Sequence, residues 1–193
     1  MRGSPGFTIP ELLVSILLFA FVSASLTSLQ ATFLRDHPRT LAQSAVQSDA
    51  TRAGRALRAA AETASYLEIP GPGASNIEQM TLWRNLDART NAPVLAGQAA
   101  RYSHFCVSLS AQLYLYEGDA PMPVIDCGVS PDGLLLAGNP DRDLSISARF
   151  NRPVGENNLL QIFTTSRIEA NAAHPAYEVS ETVQIVLRTG RGP

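Results

Sequence analysis

The sequence predicts an α+β protein, a long N-terminal helix with a membrane half and an amphipathic half, packed on an antiparallel β-sheet head. Three observations predict it. From Leu12 to Leu34 there is no charged residue for 23 positions, enough helix to cross about 30 Å of hydrocarbon. Further on, Val46, Ala50, Ala53, Leu57, Ala60, Ala64 and Leu67 recur at spacings of four and three, the stripe of a helix with one apolar face. After Ile69-Pro70-Gly71-Pro72-Gly73 the pattern changes to short apolar or alternating runs broken by turn residues, as in a β-rich domain.

Composition bounds the function. The chain has 193 residues, 45% of them hydrophobic and 17% charged, with a net charge of −2. That balance fits a globular domain with a membrane segment and lacks the basic excess of a dedicated nucleic-acid binder. All 15 basic residues are arginine, which no single site explains.

The N-terminal run admits three readings. As a cleaved secretory signal, Arg2 would be its basic region and Val22-Ser23-Ala24 its cleavage site. Yet apolar residues continue through Leu26, Leu29, Phe33 and Leu34, where a mature secreted domain turns polar. As a plain anchor, it would use Thr8-Ile9-Pro10-Glu11 as a capping box, with Pro10 harmless in the first turn. The third reading is a resemblance. Gly6-Phe7-Thr8, then Glu11-Leu12 and a long apolar stretch, resembles the processing motif of type IV pilins and pseudopilins.

That resemblance implies a leader of residues 1–6, cleavage by prepilin peptidase between Gly6 and Phe7, and N-methylation of Phe7. Glu11 becomes the assembly residue. Cleavage releases an α-amine on Phe7, which Glu11 of a neighbouring subunit would meet. A carboxylate near hydrocarbon is costly unless paired, so this role gives the charge a reason. Residues 7–35 would be the transmembrane and assembly helix, 36–68 its amphipathic half, and 69–193 the head.

Past the membrane run, Pro38 is expected to bend or restart the helix, which then runs from about Arg39 to Leu67. Its opposite side carries Asp49, Arg52, Arg55 and Glu62. Strands are expected at Met80–Arg84, Tyr102–Leu109, Gln112–Glu117, Gly133–Ala137, Leu144–Phe150, Leu159–Ile168 and Val179–Arg188. Turns are expected at Gly118-Asp119, Pro131-Asp132-Gly133, Gly138-Asn139-Pro140 and residues 155–158. The final strand should lay one face against the helix, and residues 190–193 should form a loose tail.

The two cysteines, Cys106 and Cys127, have no metal-ligand spacing. If the chain leaves the cytoplasm they form a candidate disulfide worth roughly 3 kcal/mol by chain entropy. Otherwise they are two unlinked thiols.

No catalytic residue, metal site or cofactor is expected. GxSxG, HExxH and P-loop spacings are missing, and His37, His104 and His174 are far apart in sequence, as packing or surface residues would be. Asn139, Asp141 and Asp143 alternate like the start of a calcium loop but lack the following glycine and bidentate glutamate. Arg52, Arg55 and Arg58 recur every three residues, yet residues 36–193 carry 13 arginines against 16 acids. Direct nucleic-acid binding is therefore not expected, although some filaments of this kind serve DNA uptake.

The larger head is similar to those of minor pilins and minor pseudopilins. The resemblance thus implies a structural subunit of a type IV pilus or type II secretion pseudopilus, at the filament tip or in assembly initiation. Its partners would be prepilin peptidase, other pilin or pseudopilin subunits, the inner-membrane assembly platform and membrane lipid. Its place would be the inner membrane, single-pass with the head outside the cytoplasm, and then a cell-surface pilus or periplasmic pseudopilus. The alternative is an exported or membrane-anchored ligand-binding β module with an ordinary signal peptide.

Overall fold

A computed structural model describes residues 8–155 and 159–187. The chain divides into two compact units after Leu41. Helix α1, Ile9–Thr63, is the first element, and the helix is continuous through Pro38 where the sequence suggested a bend or restart. Proline lacks one helical N–H and its ring crowds the preceding turn, yet the helix does not restart there; the Thr40 hydroxyl donates to the Asp36 carbonyl at 3.1 Å.

Within the first unit the apolar run is exposed along its length, from Leu12 and Leu13 to Phe33 and Leu34. Four of its six hydroxyls are satisfied internally. Ser15, Ser25, Thr27 and Thr32 each donate to the carbonyl four residues back, at 2.8 to 3.0 Å. Helix and back-bonded hydroxyls together leave few polar groups needing water, as a hydrocarbon environment requires.

The second unit begins at Ala42. Among the described residues ten strands follow the helix: β1 Tyr66–Ile69, β2 Gln79–Arg84, β3 Leu86–Asp87, β4 Ala92–Pro93, β5 Arg101–Val107, β6 Leu113–Asp119, β7 Leu134–Ala137, β8 Leu144–Asn151, β9 Leu159–Ile168 and β10 Tyr177–Val186. They form a five-stranded sheet of order β1-β2-β5-β6-β7, a three-stranded sheet β10-β9-β8 and the small β3-β4 hairpin. Every pairing is antiparallel. The chain is therefore α+β.

Alternation places the core. Met80 and Leu82 of β2, Phe105 of β5 and Leu113 of β6 point to one side of the larger sheet. There they meet Ile146 and Phe150 of β8, Leu160 and Ile162 of β9, and Ala53, Leu57 and Ala61 of the helix. Each fully buried Leu, Ile or Phe contributes about 1.5–3 kcal/mol. The mostly alanine stripe brings the helix backbone close, and a Cβ on Gly54 would lie 2.6 Å from the Glu181 carboxylate. Val183 and Ile185 of β10 and Leu187 beyond it join this core, so the last strand does lay a face against the helix.

Three expectations need correction here. The helix stops at Thr63, short of Leu67. Ser65 ends it by donating its N–H to the Trp83 carbonyl at 2.7 Å and accepting from Leu86 N–H at 3.1 Å; Leu67 is buried, but as a β1 residue. Asp49 is not on the solvent side: it is 7% exposed, among the helix residues facing the head. Gly118-Asp119 is no turn but the end of β6. Gly118 sits opposite Tyr102, where a Cβ would come within 2.7 Å of the Tyr102 hydroxyl, and Asp119 pairs with Arg101 at 3.2 Å.

The other expected strands occur within a few residues of their predicted bounds; β10 starts earlier, at Tyr177, and Arg188 lies outside the described residues, as do residues 156–158 and 190–193.

Candidate functional site

Two sequence-singled regions carry candidate function, the N-terminus of α1 and the cysteine pair. At the first, Thr8 precedes the helix and its carbonyl accepts from Leu12 N–H at 3.1 Å. Glu11 Oε2 reaches back to accept the Thr8 N–H at 2.9 Å and the Thr8 hydroxyl at 2.8 Å. This is the reciprocal half of a capping box, satisfying a donor that no helical carbonyl can reach. The carboxylate is also well placed beside the positive end of the helix dipole. Glu11 stays exposed within its own chain, so the cap does not exhaust its acceptor capacity. Gly6 and Phe7 lie outside the described residues.

The helix that follows is the one element among the described residues long and apolar enough to cross a membrane, and none of its apolar window is buried. It is compatible with a single-pass membrane anchor.

At the second region, Cys106 of β5 is bonded to Cys127, with the Cα atoms 6.0 Å apart. Cys106 belongs to the face of the larger sheet turned away from the helix. Trp83, Tyr102 and Tyr116 share that face, and the segment after β6 packs Met122, Ile125 and Cys127 against them. Gly128 N–H donates to the Tyr116 hydroxyl at 3.0 Å. Thus a segment without strand or helix is held over an aromatic layer by one covalent bond, apolar packing and a hydrogen bond.

His104 lies on this face, 4% exposed, with Nδ1 2.8 Å from the Thr81 hydroxyl across the β2–β5 pair. Burial pushes its pKa below the usual value, against the opposing pull of Glu68. Neutral imidazole is favoured there. His37 stacks on Phe33, and His174 is held by Asn171 in an exposed loop.

Among the described residues, no three His, Cys, Asp or Glu side chains gather as metal ligands. Asn139 Oδ1 instead accepts the Asp141 N–H at 2.9 Å, capping a 3-10 turn at Pro140–Arg142. Arg52, Arg55 and Arg58 are exposed on α1.

Sequence reasoning missed Asp49 as a contact residue. Its Oδ2 accepts from the Gly138 N–H, and burial raises its pKa while that bond and Arg52 lower it. The available signal was position: Asp49 follows Val46 by three and precedes Ala53 by four, the spacing of the apolar stripe itself.

Comparison with protein-family models, with curated proteins and with solved structures finds no match to this chain.

Proposed function

We propose that the protein is a minor pilin or pseudopilin: a structural subunit, trimmed by prepilin peptidase and incorporated through α1 into a type IV pilus or type II secretion pseudopilus, at the tip or in assembly initiation. The observation that carries this reading is the Thr8–Glu11 cap at the head of an exposed, charge-free helical run. A carboxylate fixed there has a local role in its own chain. It also stands four residues from the amine that cleavage after Gly6 would create.

Burying that run in lipid, and then against the same helix of neighbouring subunits, accounts for apolar side chains with no partner inside the chain. The cystine of the head suits an oxidising compartment, which supports a head outside the cytoplasm. On this reading the membrane lipid, the assembly platform and other pilin subunits are the partners of α1. The protein has no catalytic activity of its own.

Mass spectrometry of the mature N-terminus tests the proposal. A chain beginning with N-methylated Phe7 is the expected result. A chain beginning at Ser25 would overturn it in favour of an exported β module.

A further inference from the structure

The head has a second concave surface, distinct from the membrane run, with an unusual charge. Glu68 of β1, Trp83 of β2, Leu86 and Pro93 of the β3–β4 hairpin, and Pro121 and Met122 after β6 bound a cavity of about 610 Å³, a size typical of ligand sites. Its walls are mostly apolar, with Asn91 and Glu68 their polar side chains. Two of the wall residues are prolines, and the flanking segments are tied down by Ala120 N–H donating to the Ala100 carbonyl at 2.8 Å and by Leu95 N–H donating to Asn85 Oδ1 at 2.6 Å.

One charged group belongs to this apolar surface. Glu68 Oε2 accepts the Trp83 indole N–H at 2.6 Å, which fixes the direction of the carboxylate. Among the described residues no arginine or histidine forms an ion pair with it: Arg152 donates to the carbonyl of neighbouring Leu67 at 3.2 Å, buried His104 feels the Glu68 charge without pairing with it, and Arg84 and Arg101 pair with Glu117 and Asp119. The cavity therefore offers an oriented, solvent-exposed carboxylate without an ion-pair partner among the described residues, next to largely apolar walls.

We propose that this cavity receives an arginine side chain of a partner protein. Charge complementarity requires a cation, and the walls require an apolar stem behind it. Arginine supplies both, because its methylenes pack against apolar surface while the guanidinium donates to the carboxylate. A bare metal ion would find one carboxylate and the neutral Asn91 amide, with no cluster of three His, Cys, Asp or Glu among the described residues. The inference does not depend on the filament reading, since it concerns the head alone.

The chain contains one tryptophan, and it lines the cavity, so its fluorescence reports occupancy. The test titrates acetyl-Ala-Arg-Ala-amide and its citrulline counterpart, which keeps the shape and loses the charge, into the full chain in a non-ionic detergent. A saturable change is expected with the arginine peptide, with about tenfold weaker binding for citrulline. Glu68→Gln, which retains an acceptor for the indole, should abolish the preference, and added salt should weaken only the arginine peptide. The proposal fails if neither peptide saturates, if citrulline binds equally, or if the preference survives Glu68→Gln or high salt. A Trp83 signal that changes on dilution of the chain without peptide would also overturn it, by assigning the cavity to a second copy.

Discussion

Asp49 Oδ2 accepts a 2.9 Å hydrogen bond from the backbone N–H of Gly138, joining the helix to the β7–β8 connection across 89 positions of sequence. Gly138 has φ +81°, and a Cβ there would run into the Ala111 carbonyl and lie 2.9 Å from the Gln112 Cα. The turn is thus pressed against the β5–β6 connection, where its N–H cannot reach water easily. Asp49 provides the acceptor from the helix side.

Asp49→Ala leaves that N–H without a partner, and the expected loss is about 1–3 kcal/mol in denaturant unfolding of the full chain. Asp49→Asn keeps an acceptor and sheds the buried charge. Desolvation, the largest influence, holds the Asp49 carboxyl above its ordinary 3.8, so the folded state retains the proton to higher pH than the unfolded chain. Stability from this group is complete below 3.8 and is lost as pH rises through the folded value. The stability of Asp49→Asn relative to the parent should therefore improve between pH 3 and pH 7. A gap that stays constant over that range would refute the assignment.

His104 carries the opposite pH dependence. Burial lowers its pKa from the ordinary 6.5, so just below that pH the unfolded chain binds more protons than the folded one. Its contribution is complete above 6.5 and is lost as pH falls toward the folded value, with a slope of at most about 1.4 kcal/mol per pH unit. In His104→Gln the melting temperature should fall less between pH 7 and pH 5 than in the parent. Parallel melting curves across that range would contradict the argument.

The cystine spans a sequence separation of 21, so reducing it should cost roughly 3 kcal/mol by the chain-entropy model. The two single substitutions should differ. Cys106 is completely buried under the aromatic layer whereas Cys127 is only partly so, so Cys106→Ala adds a packing loss that Cys127→Ala largely avoids. Denaturant midpoints ordered parent, Cys127→Ala, Cys106→Ala are the expected result.

The contrast between Asp49 and Leu67 explains what the sequence could and could not convey. Periodicity located the buried face of the helix because burial of Val46, Ala53 and Leu57 follows directly from spacing. It could not mark where the helix ends. Leu67 continues the same stripe but is buried by β pairing, and the stop depends on Ser65 meeting Trp83 and Leu86, residues far along the chain. Periodicity does put Asp49 on the buried face, three after Val46 and four before Ala53, but it could not supply the reason for a carboxylate there, since the need for an acceptor arises from Gly138. The two-residue strands β3 and β4 rest on Asn85 reaching Leu95 and Gln98, contacts that leave no periodic trace. The cavity beside Glu68 was hidden for the same reason: its walls come from four separate segments. By contrast, the Thr8–Glu11 cap is local, and its spacing of three was readable at once.

On the proposed reading Glu11 has an intersubunit role besides its local cap, and substitution separates the two. Its cap on Thr8 uses one oxygen, Oε2, and Gln is an accepted partner in a capping box. Glu11→Gln should therefore keep the helix start intact, and membrane insertion and cleavage after Gly6 should proceed, because neither requires the negative charge on the proposed reading. Pairing with the Phe7 amine of a neighbour does require it, since a neutral amide cannot compensate a cation near hydrocarbon. The variant should accumulate as processed, membrane-held subunit and be missing from sheared or purified filaments. Glu11→Ala removes cap and charge together, and its helix start should fray in addition. Parental filament incorporation of Glu11→Gln would leave only the capping role, and the apolar packing of α1 would then have to set subunit register by itself.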